Sequence, residues 1–145
     1  MSQEPPRVLF VCARNGGKSP MAAGLMAARA GGRVRVSSAG TAPGAALNAL
    51  SVAALAEVGV DISGHVPTRL TDGMVAAADV VVVLGREAHV DPVPGTAVEV
   101  WETDEPSERG IDGIERMRLV RDDIAARVAE LAARLTADQP KRPET

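Results

Sequence analysis

Val8-Leu9-Phe10-Val11-Cys12-Ala13-Arg14-Asn15-Gly16-Gly17-Lys18-Ser19-Pro20 decides the reading of this chain. Four consecutive apolar residues bounded by turn signals suit a strand covered on both faces. Ser19-Pro20 is a helix-start signal, with Ser19 as cap and Pro20 at the first helical position, where its missing N–H costs nothing. Between strand and helix runs a loop, Ala13, Arg14, Asn15, Gly16, Gly17, Lys18 and Ser19, whose small residues let backbone N–H groups turn inward. A loop of that kind, ending at a helix N-terminus, cradles a tetrahedral anion. Cys12 opens the loop and points into the cradle. Inward N–H groups, the helix N-terminus and the Lys18 cation all favour a thiolate there, and a thiolate beneath an oxyanion is a nucleophile aimed at its central atom. Taken alone, one cysteine at a strand end reads as buried and inert. The loop that follows reverses that reading.

Length and composition set the frame. A chain of 145 residues is one domain by length. It is 46% hydrophobic but only 1% aromatic, with Phe10, Trp101 and no tyrosine, so its core must be aliphatic. A net charge of −3 argues against nucleic acid or an anionic membrane as partner. No stretch approaches a membrane span and no signal peptide is evident. One cysteine excludes an internal disulfide, and the default compartment is the cytosol. Of 16 basic residues only Lys18 and Lys141 are lysines. The other basic positions are all arginine, so lysine at position 18 reads as functional.

Working outward, residues 7–12 form strand one and residues 19–31 a helix stopped by Gly31-Gly32. Residues 33–38 read as a second, half-exposed strand, 40–44 as a loop, 47–58 as a helix and 60–70 as irregular. A short helix covers 71–77. Val80 to Leu84 is a second unbroken apolar run, hence a buried strand. Residues 85–95 are a loop, 96–101 a fourth strand and 102–111 a polar loop. Ile114, Met117, Val120, Ile124, Val128, Leu131 and Leu135 recur every three or four residues and predict a helix over 112–136. Residues 1–6 are a lead-in and 137–145 a disordered tail. Strands alternating with helices imply an α/β fold: a four-stranded parallel sheet in a three-layer single domain, with helices on both faces. The site then belongs at the carboxyl ends of the strands, where the Cys12 loop and the segment after Trp101 can meet.

Cys12-x-x-Asn15-x-x-Lys18-Ser19 after an N-terminal strand resembles the low-molecular-weight protein tyrosine phosphatases, and equally the arsenate reductases built on their fold. Ser38-Ala39-Gly40-Thr41, Gly59-Val60-Asp61-Ile62-Ser63 and Asp104-Glu105-Pro106 follow in the order of that family. The resemblance runs from about Arg7 to Leu135, making residues 7–136 one phosphatase-like domain. It implies that Ser38 holds Asn15 in a strained backbone conformation. It also implies that Asp104 protonates a departing oxygen, with Glu105 as the other candidate; hydroxide leaves badly without a proton. Ser19 could also donate to the thiolate, capping being the simpler role.

Lys18 stands where the phosphatases carry an arginine that grips phosphate, and a lysine cannot fork onto two oxygens. No aromatic wall for a tyrosyl ring is evident either. A point charge in a shallow cradle suits a small free oxyanion such as arsenate. With no cysteine after Cys12, the reducing thiol must come from outside. Thr103 to Gly110 and Glu115 to Ile124 narrow the resemblance to the arsenate–mycothiol transferases of actinobacteria. That implies catalytic Cys12, Lys18 and Asp104, arsenate as substrate, mycothiol as co-substrate, a glutaredoxin-like mycoredoxin as partner, and no tightly bound cofactor. Two alternatives stay open: a phosphatase, and a non-catalytic oxyanion-binding or redox-sensing module. Arg109, Arg116, Arg118 and Arg121 could dock an acidic thiol, or simply pair with Glu108, Glu115 and Asp122 on a charged helix face. His65 and His89 are isolated, and no metal site is suggested.

Overall fold

The computed structural model describes residues 4–137. Four parallel strands, β1 (Arg7–Cys12), β2 (Arg35–Gly40), β3 (Val80–Leu84) and β4 (Ala97–Trp101), lie in the order β2-β1-β3-β4. Four helices accompany them: α1 (Lys18–Ala30), α2 (Ala49–Ala56), α3 (Asp72–Ala77) and α4 (Gly113–Thr136). The expected fold class is therefore found. Residues 138–145, most of the expected disordered tail, lie outside the described residues.

The two apolar runs are central strands because both of their faces are covered. Val8, Phe10, Val82 and Leu84 turn to one side, under Met21 and Met26 of α1, Leu55 of α2, and Ile124 and Leu131 of α4. Leu9, Val11, Val81 and Val83 turn to the other, under Val75 of α3, Ala78 and Val90. That second face carries one short helix and loop, whereas the first carries three helices. Phe10 and Trp101, the two aromatic residues, meet at 5.8 Å between ring centroids.

Several boundaries move. Lys18 already belongs to α1, whose cap position is Gly17 with no side-chain cap bond, so Ser19 does not cap. β2 pairs with β1 as far as Gly40 beside Cys12, two residues beyond the expected end. α2 begins after Asn48, whose Oδ1 accepts from the Leu50 and Ser51 N–H groups, and is shorter than its apolar spacing suggested. The segment read as irregular contains a bridge between Gly40 and Arg69: Gly40 N–H donates to Thr68 O, and Leu70 N–H to Gly40 O. The polar loop 102–111 contains a 3-10 turn over Pro106–Arg109.

Because all four strands run the same way, Cys12, Gly40, Leu84 and Trp101 end at one edge of the sheet. The loops leaving that edge build the site.

Candidate active site

The loop after Cys12 is held from behind through its carbonyls. Thr41 N–H donates to Cys12 O, Ala42 to Ala13 O, Gly44 to Arg14 O and Asn48 to Gly16 O, at 2.7–3.2 Å. With the carbonyls drawn outward, the N–H groups turn the other way. Among the described residues, the Arg14, Gly16 and Gly17 N–H groups have no backbone acceptor. Gly40 permits this packing: a Cβ there would stand 2.7 Å from Ala13 O and 2.9 Å from the Asn15 Cβ.

Asn15 is fully buried and has φ 52°, the only positive φ at a non-glycine among the described residues. Asparagine tolerates this left-handed conformation better than most residues. Its amide orientation follows from its neighbours. Thr68 N–H can only donate, so the atom 2.9 Å from it is Asn15 Oδ1. His65 Nε2 lies 2.9 Å from the same oxygen and must therefore carry its hydrogen. Asn15 Nδ2 then donates to Ser19 Oγ at 2.8 Å. The Ser19 hydroxyl proton is left free for Cys12 Sγ, 2.9 Å away, and the Asn15 N–H donates to the same sulfur at 3.2 Å. Two donors therefore converge on the one sulfur that faces the cradle.

These contacts correct three expectations. Ser19 bonds the sulfur and does not cap the helix. Ser38 sits on β2 beside Phe10, and the bonds that hold Asn15 come from His65, Thr68 and Ser19 instead. His65 is not isolated. Its role had no signal in the sequence, because the Gly40–Arg69 bridge is what carries residues 65–68 to the loop.

In front of Cys12 opens a cavity of about 710 Å³. Of the loop residues, Ala13, Arg14, Gly17 and Lys18 line it, whereas Asn15, Gly16 and Ser19 lie buried beneath. No aromatic residue lines it. Asp104 and Glu105 both do, but in different bonds. Arg109 donates to both Asp104 oxygens, at 2.8 and 3.1 Å. That bond holds the Asp104 carboxyl below its ordinary range, against an opposing push from burial. Glu105 Oε1 accepts from Lys18 Nζ, and Oε2 from Arg116 Nη2 at 3.3 Å. Burial pushes the Glu105 carboxyl up, and Lys18, followed by Arg116, outweighs it, so the net direction is down.

The arginine cluster divides. Arg109 and Arg116 pair with Asp104 and Glu105 at the cavity. Arg118 and Arg121 both bind Glu57 at the end of α2, away from it, and Arg121 also binds Asp122. Of the three expected partners, Asp122 bonds Arg121 directly, while Glu108 and Glu115 add electrostatic attraction to Arg109 and Arg118 without bonding them. His89 pairs with Asp91 on the surface. Among the described residues, no group of three or more His, Cys, Asp or Glu side chains is arranged to hold a metal ion, and no helix is long and apolar enough to cross a membrane.

The chain is similar to several known proteins. "Arsenate reductase 1" of Staphylococcus epidermidis is 34% identical over 131 residues, covering 88% of this chain and 96% of that one. "Glutaredoxin arsenate reductase" of Synechocystis is 30% identical over 133 residues, covering 90% and 98%. The structure of a thioredoxin-dependent arsenate reductase of Corynebacterium glutamicum superposes with a TM-score of 0.80 at 32% identity, covering 96% of this chain and 66% of that one. The sequence profile described as low molecular weight phosphotyrosine protein phosphatase matches residues 7–141. The chain belongs to the low-molecular-weight phosphotyrosine protein phosphatase family.

Proposed function

We propose that this protein is a cytosolic arsenate reductase that joins arsenate to mycothiol and passes the adduct to a mycoredoxin. One observation carries the reading: Cys12 Sγ, bonded by Ser19 and Asn15 at the floor of a cradle edged by Lys18, is the only sulfur nucleophile the chain has. A reductase with one cysteine cannot close a disulfide on itself, so a second thiol must enter. The 710 Å³ cavity is far larger than a tetrahedral oxyanion and leaves room for that thiol.

In the proposed sequence the loop N–H groups and Lys18 hold arsenate over Cys12. Cys12 attacks arsenic, an arsenate oxygen leaves as water after taking a proton, and the mycothiol sulfur then displaces Cys12 from arsenic. Asp104 supplies that proton, which requires its bond with Arg109 to open. A mycoredoxin thiolate then attacks the mycothiol sulfur. The sulfur–arsenic bond breaks with its electron pair on arsenic, arsenate is reduced to arsenite, and the two sulfurs leave as a mixed disulfide. The similar proteins named above differ in reductant, glutaredoxin in one and thioredoxin in another. Phosphate ester hydrolysis is the second reading, supported by the family match. The lysine at position 18 and the absence of an aromatic wall weigh against an aryl phosphate.

Turnover of arsenate with mycothiol, its reductase and a mycoredoxin tests the proposal, beside a thioredoxin system and p-nitrophenyl phosphate, with Cys12→Ser as control. Arsenate turnover that needs mycothiol and is lost in the variant is the expected result. Arsenate turnover sustained by thioredoxin alone would refute the mycothiol step. Ester hydrolysis without arsenate turnover would make the protein a phosphatase. Arsenate binding with neither activity would leave an oxyanion-binding module.

A further inference from the structure

Lys18 is the only lysine among the described residues, and its ammonium is not free. Glu105 Oε1 accepts from it, while Glu105 Oε2 accepts from Arg116 Nη2. An oxyanion that binds through Lys18 must compete with that carboxylate. The displaced carboxylate has somewhere to go. Arg116 Nε is buried and has no hydrogen-bond partner, an arrangement that costs free energy until an acceptor arrives. A guanidinium offers Nε and Nη2 as parallel donors to both oxygens of one carboxylate. Glu105 at present uses only the Nη2 side.

Glu87, Glu102, Asp104, Glu108 and Asp123 also line this cavity, and none of them bonds Lys18. Asp104 is held by Arg109, and Asp123 accepts from Arg127 and from the Asp104 N–H. Arg86 stands 3.9 Å from Glu102 at the exposed rim. Among the described residues, Glu105 alone bonds Lys18, and it alone also touches an arginine with a spare buried donor.

We infer that Glu105 is a two-position counter-ion that determines which anions the cradle accepts. In one position it bridges Lys18 and Arg116. In the other it sits wholly on Arg116, through Nε and Nη2, and Lys18 turns to the bound oxyanion. The device selects for ligands that carry a full negative charge within reach of Lys18, such as a free tetrahedral oxyanion. Neutral or weakly charged ligands leave Glu105 on the lysine. The inference rests on the proposed anion cradle but not on the identity of the thiol.

Calorimetric titration of inorganic phosphate into the wild type, Glu105→Gln, Arg116→Lys and the double variant tests it. Glu105→Gln removes the competitor and should bind phosphate roughly fivefold tighter, the scale of one partly exposed ion pair. Arg116→Lys keeps the charge but loses the fork, so Glu105 has no second position. It should weaken phosphate binding severalfold in the wild-type background and leave it unchanged in the Glu105→Gln background, a coupling that independent sites would not show. Equal effects of Arg116→Lys in both backgrounds, or no tightening in Glu105→Gln, would overturn the two-position device while leaving the cradle intact. No phosphate binding by the wild type would overturn the device and the cradle together.

Discussion

Ser19 Oγ stands 2.9 Å from Cys12 Sγ, with its proton directed to the sulfur because Asn15 Nδ2 already donates to its oxygen. A serine just inside a helix thereby serves as a donor to the cysteine sulfur and not as a cap. Ser19→Ala removes that donor. We expect alkylation of Cys12 by iodoacetamide at neutral pH to slow by about fivefold to tenfold, the effect of about 1–1.5 kcal/mol for one hydrogen bond. An unchanged rate would mean that the hydroxyl does not act on the sulfur.

His65 works one step further out. His65→Ala leaves Asn15 Oδ1 with Thr68 N–H alone, and the positive φ at Asn15 then depends on fewer bonds. We expect kcat/KM for arsenate to fall about tenfold with little change in thermal midpoint, since His65 is only partly buried. His65→Gln can donate from its amide and should recover part of the loss. Steady-state kinetics on both variants decide this.

Gly40→Ala places a methyl group 2.7 Å from Ala13 O and 2.9 Å from the Asn15 Cβ. Both contacts are with the loop that forms the cradle, and neither can yield without moving it. Phosphate binding should disappear, and the protein should lose about 1–3 kcal/mol in a urea titration. Unchanged phosphate affinity would show that the loop has more slack than this packing allows.

The Arg109 bond lowers the Asp104 carboxyl, so its removal must raise it. If Asp104 donates the proton, Arg109→Gln should keep the donor protonated to higher pH. The alkaline limb of the arsenate pH–rate profile then moves upward. A limb that stays in place would remove Asp104 from that role.

Glu57 links the end of α2 to Arg118 and Arg121 of α4. The Arg118 bond leads in lowering its carboxyl from 4.5 to about 2, against burial and with help from Arg121. A carboxyl lowered on folding contributes stability above the unfolded value, and that contribution is lost as pH falls through the folded one. Glu57→Gln should therefore lower the denaturation midpoint near neutrality, with the difference from wild type shrinking below pH 4.5 and gone only below about pH 2. Thermal melts at a series of pH values provide the check.

Local chemistry by itself determined the outline. Val8–Val11 and Val80–Leu84 are apolar throughout, and only a strand covered on both faces can bury such runs, so the parallel sheet and its site edge follow. The glycine loop with Cys12 and Lys18 is readable for the same reason: each depends on neighbours a few residues away, whereas the acidic pair at 104–105 stood out only through the family resemblance. Tertiary structure decided which side chains meet. His65 lies 50 residues from Asn15 and Glu105 lies 87 from Lys18, and no local pattern encodes either pairing. The Gly40–Arg69 bridge delivers the first, and the parallel alignment of β1, β3 and β4 delivers the second. Helical spacing could not supply Glu57 as the partner of Arg118 and Arg121, because packing of α4 on α2 brings it within reach and a charged side chain pairs with what packing sets beside it.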